Sequence, residues 1–179
     1  MRVALSLWFD EALERQIYEL WQQVEQKGIS SILYDGRFRP HITLGIWEFP
    51  DHENIIAPLR KLLSDVPPLQ IRFESVGNFP GTEGVVFLAP IVTATLINLH
   101  SKVFSLASAK GDSVSEYYRP GAWVPHCTCA YKISPSEVLT ATQVCLQQAL
   151  PLEGEAASLG IIQTPEEIEL DRVEFNVHL

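Results

Sequence analysis

The chain has 179 residues of which 46% are apolar, enough to bury most of its unfolded surface, and this excludes intrinsic disorder. Its 13 Lys and Arg against 22 Asp and Glu give a net charge of −9 and a pI near 5.0, which disfavours binding to long DNA or RNA by phosphate neutralisation and leaves a local basic patch as the route to a small anion. Three cysteines, Cys127, Cys129 and Cys145, are too few and odd in number for a disulfide framework and fit a reducing cytoplasm.

The opening MRVALSLWFDE runs into acidic residues with no small-residue cleavage site, so Val3 to Phe9 reads as a strand and not as a secretory signal. Asp10 then caps a helix whose Leu13, Ile17, Leu20 and Val24 share one face, ending near Gly28. A strand with alternating faces follows over Arg39 to Trp47. The next helix opens at Pro50 and Asp51, buries Ile55, Ile56, Leu59, Leu62 and Leu63, and stops at Pro67 and Pro68. Strands near Leu69 to Val76 and Val85 to Ala89 flank a turn or mobile loop at Gly77 to Gly84, and a helix follows with Leu96, Leu99, Val103 and Leu106 at helical spacing. The longest uncharged run, Gly84 to Ser101, is interrupted by Pro90, Asn98 and His100, which argues against a membrane span. Ser105 to Gly121 is long and polar and is expected to form a mobile loop over a cleft. Trp123 to Lys132 is a strand, and Ser134 with Glu137 supplies a capping box for a helix carrying Val138, Leu139, Cys145, Leu146 and Ala149. Two strands, near Ala156 to Gln163 and Ile168 to Val177, finish the chain.

Sliding the sequence by about 85 places superposes Pro40-His41-Ile42-Thr43 on Pro125-His126-Cys127-Thr128, and Pro50 on Pro135. Each half then reads strand, helix, His-bearing strand, helix, strand, strand: a duplicated α+β unit with mostly antiparallel sheets, in which pseudo-twofold pairing brings the two His-bearing strands face to face.

In a strand, residues i and i+2 project from one face, so His41 points with Thr43 and His126 with Thr128. Two such pairs suit phosphoester chemistry. A neutral imidazole takes a proton from an attacking hydroxyl or water, an imidazolium gives one to the leaving oxygen, and in-line displacement needs the two on opposite sides of the phosphate. The threonine hydroxyls can donate to the nonbridging oxygens.

With RPHITL at Arg39 to Leu44 and VPHCTCAY at Val124 to Tyr131, the chain resembles the 2H phosphoesterase superfamily, which includes 2′-5′ RNA ligase-like proteins and 2′,3′-cyclic nucleotide phosphodiesterases. The resemblance covers the whole chain. It implies one α+β domain of two duplicated lobes, with mostly antiparallel sheets around a central cleft and helices packed outside. It also implies catalysis without a metal or other cofactor, His41 and His126 in the acid and base roles, and Thr43 and Thr128 on the phosphate. One position departs from the pattern: bacterial 2′-5′ RNA ligase-like proteins carry Arg five places after the second His, where this chain has Tyr131, as plant-type cyclic phosphodiesterases do. That favours a small cyclic phosphate over an RNA end and adds Tyr131 as a substrate-binding candidate. Strict alternation from His126, however, aims Tyr131 away from the cleft and Lys132 into it unless the strand bulges.

Blander roles stand beside these. His41 and His126 can be structural histidines of half-buried strands, and His52, His100 and His178 read as surface or packing residues. Cys127 and Cys129 point opposite to His126 with no second ligand pair at metal spacing, so they read as small core residues and no metal is expected. Arg37, Arg39, Arg119 and Lys132 are either phosphate ligands or salt-bridge partners. Phe38, Trp47, Tyr117, Tyr118 and Trp123 either stack a base or pack the core. The expected protein is a cytoplasmic monomer acting on a cyclic-phosphate nucleotide, an RNA end or an ADP-ribose cyclic phosphate, with no DNA or membrane partner. A 2′-5′ ligase, a non-catalytic nucleotide- or RNA-binding module and an interaction scaffold are the alternatives.

Overall fold

The computed structural model describes residues 1–30, 32–35, 38–79, 81, 83–148 and 150–176. The expectations placed on Arg37, Ala149, Val177 and His178 lie outside the described residues. In chain order the elements are β1 (Arg2–Phe9), α1 (Glu11–Gln26), β2 (His41–Glu48), α2 (Glu53–Leu63), β3 (Leu69–Phe79), β4 (Gly84–Pro90), α3 (Ala94–Ser108), β5 (Asp112–Ser113), a 3₁₀ turn (Glu116–Tyr118), β6 (Cys127–Ile133), α4 (Pro135–Gln147), β7 (Leu152–Gln163) and β8 (Ile168–Glu174).

Local chemistry starts the helices where the sequence places them. Asp10 Oδ1 accepts from Leu13 N at 2.9 Å at the head of α1, Thr93 Oγ1 accepts from Leu96 N at 3.2 Å at the head of α3, and the Ser134–Glu137 capping box opens α4. Each cap satisfies backbone donors that the first turn leaves unpaired. Helix α1 then buries Leu13, Ile17, Leu20, Trp21 and Val24, and each such Leu or Ile stabilises the fold by about 1.5–3 kcal/mol. Helix α4 departs from its expected face: Leu139 and Leu146 are 72% and 60% exposed, and Ala141, Val144 and Cys145 are the buried residues. Helix α4 lies close to β4 at Gly84, where a Cβ would come within 2.5 Å of Val138 Cγ2.

Every strand pairing is antiparallel, and the sheet order is β5-β2-β1-β7-β3-β4-β6, with β8 added on β7. This order corrects the boundaries of the repeat. The two units are β1-α1-β2-α2-β3 and β4-α3-β6-α4-β7, so β4 opens the second unit and β8 stands outside both. The third strand of each unit crosses to the other: β3 pairs with β4, and β7 pairs with β1. The expected loop at Gly77 to Gly84 is shorter, since β3 runs to Phe79 and β4 begins at Gly84. The expected strand from Trp123 starts only at Cys127, because Pro120 and Pro125 lack the N–H that a ladder needs. Ser105 to Gly121 is partly ordered into the end of α3, β5 and the 3₁₀ turn.

Both His-bearing strands bulge at the same place. On β2, Thr43 faces Ser6 and Gly45 faces Leu5, so Leu44 is the extra residue. On β6, Thr128 faces Phe87 and Ala130 faces Val86, so Cys129 is the extra residue. Each bulge thus follows the motif threonine directly, independent support for the duplication.

Candidate active site

The pleat sends Ile42 and Leu44 into the core and leaves His41 and Thr43 half-buried on the opposite face of β2. On β6, Cys127 and Cys129 are buried while Thr128 is half-buried, and His126 just precedes the strand. His41 and His126 line one cavity of about 690 Å³, together with Thr128 and Tyr131. The wall does not include Thr43, whose Oγ1 accepts from Ser6 Oγ at 3.5 Å. The Cys129 bulge shifts the alternation by one, so Tyr131 returns to the face of Thr128. Lys132 adopts a left-handed φ of 59° and lays its Nζ over the Tyr131 ring at 5.0 Å.

The two imidazoles are held alike. His41 Nδ1 lies 2.6 Å from the Arg39 carbonyl, and His126 Nδ1 lies 2.7 Å from the Val124 carbonyl. A carbonyl only accepts, so each Nδ1 carries the proton and each neutral ring has Nε2 as its basic nitrogen. Burial pulls both pKa values below the ordinary 6.5; at His41 the Arg39 carbonyl opposes this and the charge of His126 reinforces it, while at His126 the Val124 carbonyl opposes it. The charge of His126 opposes a second proton on His41, so the doubly protonated pair is disfavoured relative to the singly protonated state that acid/base catalysis uses. His126 also packs against Phe79, with ring centroids 4.9 Å apart and nearly perpendicular, and against Phe87 at 5.3 Å.

Two indoles tie the motif strands to remote segments. Trp21 of α1 donates Nε1–H to the Thr128 carbonyl at 2.9 Å, and Trp123 donates to the Thr43 carbonyl at 3.0 Å. Both carbonyls precede a bulge, where ladder pairing lapses, and the indoles supply the missing donors.

Of the basic candidates, Arg39 pairs with Glu14 at 2.5 Å and covers the Trp8 ring at 4.5 Å, and Arg119 pairs with Glu116 at 2.8 Å. Neither they nor Lys132 lines the cavity. Of the aromatic candidates, Phe38, Tyr117, Tyr118 and Trp123 line it, with Tyr117 82% exposed. Trp47 is a core residue that donates Nε1–H to Ser108 Oγ at 3.0 Å. Phe79, the last residue of β3, and Thr164 and Glu167, on the β7–β8 turn, also line the cavity and carry no sequence signal for that role. All three cysteines are buried and unpaired; burial pushes the Cys127 thiol up to about 12, beyond ordinary thiolate chemistry. Among the described residues no three His, Cys, Asp or Glu side chains gather as metal ligands, and no helix is long and apolar enough to cross a membrane.

An antiparallel sheet that presents two His-x-Thr strands to one cleft is the architecture of the 2H phosphoesterases. The chain belongs to the 2′-5′ RNA ligase superfamily, whose family model matches residues 9–167. Similar solved structures include Escherichia coli LigT complexed with 3′-AMP (17% identity, TM-score 0.65, 98% of each chain covered). TT0787 of Thermus thermophilus is 16% identical with a TM-score of 0.61, covering 99% of this chain and 100% of that one. Usb1 of Kluyveromyces marxianus is 9% identical with a TM-score of 0.58 and 98% of each chain covered. LigT is also solved with ATP, and Usb1 with uridine monophosphate. No curated protein matches the chain. The structural likenesses establish the fold, and the family places the chain among phosphoesterase and RNA ligase-like enzymes.

Proposed function

We propose that this protein is a metal-independent phosphodiesterase that opens a 2′,3′-cyclic phosphate, with His41 and His126 as its acid and base. The observation that carries the reading is the shared cavity lined by both rings, each with Nδ1 tied to a carbonyl so that Nε2 is the basic nitrogen. One neutral ring takes a proton from water as its oxygen bonds to phosphorus. The other, protonated, delivers its proton to the ribose oxygen as that P–O bond breaks, and the two rings exchange protonation states. Thr128 donates to a nonbridging oxygen, and Tyr131 with the aromatic wall receives the nucleoside. Thr43, whose Oγ1 accepts from Ser6, keeps its own O–H to donate and is the second candidate phosphate donor, set behind the cavity wall.

A cyclic mononucleotide is the substrate best supported. The described cavity residues include no Lys or Arg and one carboxylate, Glu167, which suits a ligand of single negative charge better than an RNA end or an ADP-ribose derivative. The chain is read as one bilobal, monomeric domain, and three unpaired thiols accord with a cytoplasmic setting. The superfamily supports the reverse reading, in which the same site joins a cyclic-phosphate RNA end to a 5′-hydroxyl.

The deciding experiment is phosphorus NMR of 2′,3′-cyclic mononucleotides, ADP-ribose cyclic phosphate and cyclic-phosphate RNA ends with the protein in EDTA. Mononucleotide turnover, lost in both His41→Ala and His126→Ala, is expected. Turnover confined to RNA ends moves the assignment to RNA processing or ligation, and none on any substrate leaves a binding module.

A further inference from the structure

His100 sits on α3 at 1% exposure and is not part of the cavity wall, yet it faces Leu44 of the first motif and stacks on Trp123, the residue directly before the second. Its ring stacks on Trp123 with centroids 3.9 Å apart and planes 3° from parallel. Its Nε2 lies 2.9 Å from the Tyr118 carbonyl, and the carbonyl of Leu44, the bulge residue of β2, also faces the ring. Trp123 in turn reaches the Thr43 carbonyl, and the next residue, Val124, supplies the carbonyl that receives His126 Nδ1–H. The approach to β6 has little ladder pairing of its own; Ala122 and Trp123 both donate to the Arg119 carbonyl in a compact turn. Without an anchor from the core this turn, and the carbonyl at its end, would have no fixed height above the cleft.

We infer that His100 is a positioning residue: by pinning Tyr118 and Trp123 to β2 it holds the Val124 carbonyl in place, and so fixes the tautomer and aim of His126. His100 touches no reacting atom; its effect travels through the stack on Trp123 and the backbone to Val124. A packing residue would serve the core equally well as an apolar ring. The hydrogen-bonded imidazole, by contrast, fixes the rotation of the Trp123 stack and the distance from Tyr118 to α3.

The kinetic arm of the test rests on the phosphodiesterase reading, whereas the tautomer arm does not. Nitrogen-15 NMR of the histidine rings above their titration reports which nitrogen carries the proton. In the native protein both His41 and His126 are expected as Nδ1–H forms. In His100→Phe, which keeps a ring and loses the hydrogen bonds, His126 is expected to shift toward Nε2–H while His41, held by Arg39, serves as the internal control. His100→Gln, which keeps a donor for Tyr118, should restore part of the native signal. On a cyclic mononucleotide, His100→Phe should lower kcat roughly 10- to 100-fold with KM changed far less, as expected for a misaimed catalytic group. An unchanged His126 tautomer in folded His100→Phe overturns the inference, as does failure of both variants to fold, which would assign His100 to core stability. Native tautomer behaviour as expected with no turnover on any substrate would instead refute the phosphodiesterase reading and leave the positioning role standing.

Discussion

At the scale of single residues, the two histidines set the pH behaviour. Both have pKa values drawn below 6.5 by burial, so the base is available early in a titration and the acid is lost early. The kcat/KM profile is therefore expected to be a bell centred on the acid side of pH 6.5, and a centre above that value would contradict the assignment. Stability carries the opposite sign. A histidine whose folded pKa is lowered binds fewer protons folded than unfolded, so its contribution is complete above the unfolded pKa and is lost as pH falls through 6.5 and below. His100 is lowered too, mainly by burial, and melting temperature should fall on acidification from pH 7.5 to 5.5, less steeply in His41→Ala. Either motif His→Ala change should cost about 10²–10⁴-fold in kcat, read by phosphorus NMR. Tyr131→Ala should raise KM roughly 2- to 10-fold.

At the scale of elements, what was legible depended on how local its cause is. The caps at Asp10 and Ser134 lie within three residues of the groups they satisfy, so the sequence displays them. Glu137→Ala should remove about 1 kcal/mol and lower the melting point by about 2–4 °C. The bulges at Leu44 and Cys129 have no such mark. They arise from the register against β1 and β4, and they decide whether Tyr131 faces the cleft. The exposure of Leu139 and Leu146 was hidden for the same reason: both are apolar and suitably spaced, but the buried stripe of α4 is chosen by the strands beneath it. The His-x-Thr pairs were legible because a two-residue period is intrinsic to a strand, while Phe79 at the end of β3 and Thr164 and Glu167 on the β7–β8 turn reach the cavity through tertiary geometry.

At the scale of the molecule, the duplication repeats a packing detail on equivalent strands. The Phe87 ring lies over Gly77 on β3 and the Trp8 ring over Gly160 on β7, and a Cβ at either glycine would come within 2.6 Å or less of those rings. Phe87 supports His126, and Trp8 lies beneath Arg39, whose carbonyl holds His41. Gly77→Ala and Gly160→Ala should therefore each destabilise by about 1–3 kcal/mol in chemical denaturation and disturb the neighbouring motif. The crossing of β3 and β7 between the units has a further consequence. Each half leaves the strand it contributes without its own sheet and needs the other's strand to complete its own, so neither half has a finished edge alone. A chain cut between Phe79 and Gly84 is expected to yield two fragments that are unfolded apart and recover one cooperative fold when mixed: the molecule is, in effect, a domain-swapped dimer written on a single chain.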